Sequence, residues 1–153
     1  MNGESIVSEG YSGNIYLDHI GIACEDFSLA SQFWRLLGLT QGDADEKVES
    51  QGVETRFFST SQVSAGDREA RVELLKPTSP DTPIGKFIAK RGVGIQQICF
   101  RVDDLVAVLA HLKKNDVRLI NERPITGTDN NLIAFVHPKS TGGVLVELTQ
   151  RID

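Results

Sequence analysis

The chain has 153 residues, 40% of them hydrophobic and 24% charged, with a formal net charge of −5. That length suits one domain, or two half-domains sharing a core. The acidic balance argues against a nucleic-acid or anionic-membrane partner, since both need a basic face, and no apolar run is long enough to span a bilayer.

The first fourteen residues are polar and lack both a basic n-region and an apolar h-region, so residues 1–14 read as a loose tail and not a signal peptide. Residues 16–24 are Ile-rich and alternate, which predicts a strand. Asp26 is a natural N-cap. Leu29, Ala30, Phe33, Trp34 and Leu37 then recur at helical spacing, and Gly38 sits where a left-handed residue ends a helix. Strands are predicted at 53–60 and 70–76, with a polar loop over 61–69 between them. A proline-punctuated turn and a short helix from Ile84 to Lys90 form a bridge over 78–93.

A strand over 94–102 then matches the first one. Asp103 or Asp104 caps a second helix whose apolar face is Leu105, Val108, Leu109 and Leu112, and Asn115 can close it in the left-handed conformation. Further strands are predicted near 117–121, 132–137 and 143–149. The two cysteines, Cys24 and Cys99, are too few for a secreted disulfide framework. Each falls in a predicted strand, which points to buried thiols in a reducing, cytoplasmic setting.

The chain thus gives a β-α-β-β-β unit twice, over 15–77 and 94–150, within one domain over 15–153. His19 falls on Gln97 and Asp26 on Asp104 at one offset (97 − 19 = 104 − 26 = 78). The first unit is slightly longer, which fits an insertion in the 61–69 loop. The predicted class is α+β. Each helix covers one face of its sheet, and the two free faces, side by side, form a cup for a ligand.

Four polar positions occupy matched places in the repeat. His19 and Gln97 lie on the first strands, and Glu73 and Glu147 on the last. Buried ionisable groups in apolar strands are costly unless paired or bound to a cation. A histidine and two carboxylates form an N/O set suited to Zn²⁺, Co²⁺, Mn²⁺ or Ni²⁺. Gln97 adds a neutral carbonyl oxygen, a weaker donor than imidazole, so lower affinity or a preference for harder metals is expected.

The segments LDHIGIAC, QGV, VELLKP, DTPIGKFIAKRG, GIQQICFRVDD and FVHPKSTGGVLVELTQ together resemble methylmalonyl-CoA epimerases. These belong to the vicinal oxygen chelate superfamily, which also includes glyoxalase I. The similarity runs from about residue 16 to residue 150, and IAFVHPKSTGGVLVEL is its most specific part. The resemblance implies a glyoxalase-like fold with a cup-shaped mixed sheet and a metal held by His19, Glu73 and Glu147. The family's remaining ligand is the second histidine of a GxHHI motif. Here the motif reads GIQQI, and Gln97 stands in that place.

The resemblance further implies a divalent metal cofactor, an acyl-CoA substrate and a homodimer. The implied reaction inverts the carbon between a carboxylate and a thioester. Glu147 would be a ligand that doubles as base. The family's other base falls on Thr55, which leaves Glu54, one residue earlier and on the opposite strand face, and Glu49 as candidates. Lys139 is a candidate contact for the CoA phosphates. Two other readings stay open: a glyoxalase-like isomerase or tailoring enzyme with another substrate, and a metal-free ligand-binding protein.

Overall fold

The computed structural model describes residues 9–60 and 69–152. Most of the predicted tail, and all but one residue of the 61–69 loop, lie outside the described residues. The first unit contains strand β1 (Ile15–Ala23), helix α1 (Phe27–Leu37), and strands β2 (Thr40–Gln41), β3 (Glu46–Val48), β4 (Val53–Ser59) and β5 (Arg71–Pro77). Helix α2 (Pro83–Arg91) forms the bridge. The second unit contains β6 (Gly94–Val102), α3 (Leu105–Lys114), β7 (Ile125–Thr126), β8 (Leu132–Val136) and β9 (Leu145–Gln150).

The helix ends follow local chemistry. Asp26 accepts from the amides of Ser28 and Leu29, and Gly38 closes α1 with φ of 106°, a conformation that favours glycine. Asp104 accepts from the Ala107 amide at the start of α3. At the far end of that helix, Asp116 and not Asn115 takes the left-handed conformation, with φ of 60°. Asn115 instead donates its side-chain amide to the His111 carbonyl, which keeps it outside that region.

The two units do not form separate sheets. The nine strands make one mixed sheet in the order β2-β4-β5-β1-β6-β9-β8-β7, with β3 beside β4. Within each unit the first strand runs parallel to the last, β1 with β5 and β6 with β9. Between units β1 and β6 pair antiparallel along almost their whole length. The predicted strand near 117–121 reduces to a single bridge, Leu119 to Val136. Its amides at Ile120 and Asn121 both reach the Phe135 carbonyl, and that sharing breaks a regular ladder.

Side-chain alternation splits the sheet into two faces. On one face Val72, Leu74 and Phe58 pack under Phe27, Ala30 and Trp34 of α1. Leu29, Phe33 and Leu37, also expected on the apolar face of α1, are more than half exposed. That helix is apolar over more of its circumference than the sheet can cover. In the second unit Leu148, Val102 and Phe100 pack under Leu105, Val108 and Leu109 of α3. The other face is the concave one. There α2 closes one end, with Ile84, Phe87 and Ile88 against Ala23, Val53 and Leu75.

Candidate active site

The concave face holds a cavity of about 270 Å³, and Glu73, Gln97 and Glu147 are among the residues lining it. His19 lies against Glu73 and Glu147 of that lining and is 5% exposed. Its Nε2 is 2.8 Å from Glu73 Oε2 and 3.7 Å from Glu147 Oε2. Gln97 donates from Nε2 to that same Glu147 oxygen. The four positions matched by the repeat therefore converge. All four are buried, although they come from four different strands.

The convergence depends on two irregularities in the β1–β6 seam. The register shifts between Leu17 and His19, and again between Gly21 and Ile22. The first shift leaves Asp18 without a cross-strand partner, and the second does the same for Gln96. A bulge of this kind re-aims neighbouring side chains. Asp18 and Gln96 are themselves repeat mates, 78 residues apart (96 − 18). In each unit the bulged residue immediately precedes the site residue.

In the first unit the bulge gives His19 a backing carboxylate. Asp18 Oδ2 lies 2.6 Å from His19 Nδ1. Arg71 reaches the same oxygen at 3.1 Å, and Arg101 and Arg151 approach the other at 3.9 and 3.8 Å. Burial opposes ionisation of Asp18, but His19 and Arg71 outweigh it and hold its pKa at about 2. Burial likewise opposes charge on His19. The Glu73 charge and the contacts with Asp18, Cys99 and Glu147 prevail, so the imidazole pKa is raised well above its ordinary value. Glu147 is pushed the other way for a carboxylate. Burial raises its pKa, and His19 only partly offsets this. The Phe57 ring meets His19 edge-on, 5.5 Å between centroids, and screens it from solvent.

In the second unit a glycine makes room for the amide. Gly21 sits opposite Gln97 across the seam. A Cβ at Gly21 would lie 2.6 Å from Gln97 Cγ. The repeat mate of Gly21 is Cys99, which sits opposite His19 in the same way.

The donor set facing the cavity suits a divalent cation. Among the described residues, His19 Nε2 and Glu73 Oε2 are buried, face each other at 2.8 Å and have no other hydrogen-bond partner. They and Glu147 together present one nitrogen and two carboxylates. A second group of donors, Asp18, His19 and Cys99, has atoms within 4.8 Å of one another. It suits a cation poorly: arginines crowd Asp18, and burial pushes the Cys99 thiol up to about 12.

The structure does not bring the other sequence candidates to the cavity. Glu54 lies between Val53 and Thr55, which line the cavity. The β4–β5 register is unbroken from Val53 to Ser59, so Glu54 points to the opposite face. Glu49 is exposed and pairs with Lys47 at 3.4 Å. Lys139 lies in the exposed turn Pro138–Ser140. Asp18 and Arg71 are the site residues that the sequence reading missed. Asp18 was discoverable, because its offset from Gln96 equals that of His19 from Gln97.

The chain is similar to known proteins along most of its length. The family model of the glyoxalase/bleomycin resistance protein/dioxygenase superfamily matches residues 18–135. The mitochondrial methylmalonyl-CoA epimerase of Homo sapiens is 36% identical over 136 residues, covering 88% of this chain and 73% of that protein. The crystal structure of methylmalonyl-CoA epimerase from Mycobacterium tuberculosis superposes with a TM-score of 0.82 at 35% identity, over 95% of this chain and 94% of that one. A variant of the Streptomyces coelicolor methylmalonyl-CoA epimerase, solved with 2-nitronate-propionyl-CoA, gives a TM-score of 0.82 at 34% identity, covering 90% and 98%.

Proposed function

We propose that this chain, which belongs to the glyoxalase/bleomycin resistance protein/dioxygenase superfamily, is an acyl-CoA epimerase that inverts the α-carbon of methylmalonyl-CoA. The observation that carries this reading is the convergence of His19 with Glu73, Gln97 and Glu147, the last three lining one small cavity. The high coverage of the epimerases by this chain supports the substrate class.

His19, Glu73 and Glu147 would hold a divalent cation, with Gln97 as the weakest donor through its carbonyl oxygen. When bound, such a cation supplies positive charge where negative charge develops on the thioester and carboxylate oxygens of the substrate. The remaining work falls to the chain itself. Inversion needs a proton taken from one face of the α-carbon and a proton returned to the other. Glu147 is buried and its pKa is raised, so its carboxylate is suited to accept the α-proton. Glu73 is the other carboxylate among the described residues that line the cavity, and we assign to it the opposite face. Val53, Leu75 and Phe135 wall the cavity with apolar surface and limit water at the reacting carbon.

The test is α-proton exchange on methylmalonyl-CoA in deuterated water with metal-loaded protein. The wild type exchanges, and Glu147→Gln loses roughly 10²–10⁴-fold in rate. Absence of exchange in the wild type overturns the proposal.

A second reading, metal-free ligand binding, has one observation in its favour. Gln97 already bonds Glu147, and a protonated His19 already offsets Glu73, so the cluster is self-compensating. Elemental analysis of protein purified without a histidine tag separates the two readings, because a stoichiometric metal eliminates this one.

A further inference from the structure

A second cavity, of about 500 Å³, opens beside the first. The two share Pro83, Gln96, Gln97, Ile120 and Leu145 as walls, so they form one continuous trough from the site outward. The cup is too small for more than an acyl group and the atoms next to it. The outer part of the trough has a different character. Phe87, Ile95, Ile98 and Val144 line it with apolar surface, and Lys86, Lys90 and Arg91 line it with positive charge. Ile95 is 64% exposed, a large apolar surface left open to solvent at the mouth of a site.

Three cations line this one cavity, with no carboxylate among its lining residues. Lys90 and Arg91 occupy the last turn of α2, where positive charge suits the helix dipole. Lys86 is in the first half of that helix, where the dipole disfavours a cation. Its spacing from Lys90 puts both on one helix face, and that face borders the trough. In a chain of net charge −5, three cations gathered beside apolar surface are a local concentration of positive charge.

We propose that the trough takes the pantetheine arm of a CoA thioester against its apolar residues, and that Lys86, Lys90 and Arg91 bind the nucleotide phosphates. This rests on the acyl-CoA reading above and adds where the non-reacting part of the substrate lies. It transfers the phosphate role from Lys139 to α2.

Calorimetric titration of metal-free protein with CoA and with pantetheine tests it. Three proteins are compared: the wild type, the triple variant Lys86→Ala/Lys90→Ala/Arg91→Ala, and a control, Lys113→Ala/Lys114→Ala/Arg123→Ala, with the same change in net charge away from the trough. The wild type binds CoA more tightly than pantetheine, and the gap narrows as salt rises. The triple variant loses roughly tenfold or more in CoA affinity and nothing for pantetheine, and the control keeps both. Equal CoA affinity in the wild type and the triple variant, equal loss in the control, or no CoA binding by the wild type overturns the proposal. Failure of the epimerase reading is distinguishable: α-proton exchange is then absent while the charge-dependent CoA affinity remains.

Discussion

In the first unit a strand bulge sets Asp18 behind His19, and arginines gather around Asp18. In the second unit the same bulge sets Gln96 beside Gln97, and neither residue carries charge. The last strands match better, with a glutamate in each. The backbone template was thus kept through both units while the electrostatics of the first strand diverged. The difference shows that positions in the site are held by strand register, whereas the charge state of each position is set by its local partners. His19 is held by a carboxylate on one nitrogen and faces carboxylates with the other. Gln97 has one strong partner, Glu147, and space provided by Gly21.

The sharpest way to break this contrast is to remove the two bulge residues in turn. Asp18→Ala leaves a protonated His19 and the buried Arg101 without their compensating charge, at a cost of about 3 kcal/mol. Gln96→Ala costs about 1 kcal/mol or less, because no charge is stranded. Urea denaturation of both variants measures the difference, and equal costs would refute the asymmetry.

Acidity separates the units next. Asp18 has its pKa lowered from 3.8 to about 2, so its contribution is fully present above the unfolded value and is lost as pH falls through about 2. The contribution is on the order of 2 kcal/mol. His19 has the opposite sign. Its folded pKa is raised, so its contribution is complete below the unfolded value of about 6.5 and fades as pH rises through the folded one. Chelator-stripped protein should therefore weaken on the alkaline side, and His19→Gln should flatten that limb in a pH series of thermal midpoints.

Making the units more alike gives a smaller, opposite effect. Gln97→His supplies a stronger donor at the position with the weakest one, and tightens Zn²⁺ or Co²⁺ binding roughly tenfold or more in competition with a chromogenic chelator. Unchanged affinity would remove Gln97 from the proposed ligand set. The smallest effect tests the space beside it. Gly21→Ala places a methyl against Gln97 Cγ and costs about 1 kcal/mol, with a matching loss of metal affinity as Gln97 shifts. Cys99→Ala, the repeat mate, removes one sulfur opposite His19 and leaves metal affinity unchanged.

Much of this arrangement was legible in the sequence. The long strands and the two capped helices follow from alternation and helical spacing, His19 and Gln97 from the 78-residue offset, and Glu73 and Glu147 from their matched places on the last strand of each unit. The strands β2, β3 and β7 span only two or three residues, too short for any period to register. The bulges were hidden for a different reason. Strict alternation puts Asp18 on the face opposite His19, and only cross-strand pairing shows that both are buried together. The cations of α2 were visible as residues. Their relation to the site depends on how the bridge folds back over the sheet, which local sequence does not encode.

The antiparallel seam between β1 and β6 also bears on how the chain folds. His19 pairs with Arg71 of its own unit and with Cys99 of the other, so the strand carrying it must find partners 52 and 80 residues away (71 − 19; 99 − 19). Loop closure over such distances precedes its reward, which makes assembly slow and strongly cooperative. Neither unit can complete the ligand cluster alone, because Glu73 and Glu147 reach His19 from opposite sides of the seam. Amide protons of β1 and β6 should accordingly be the last to exchange, and competence of the site should rise in step with global folding.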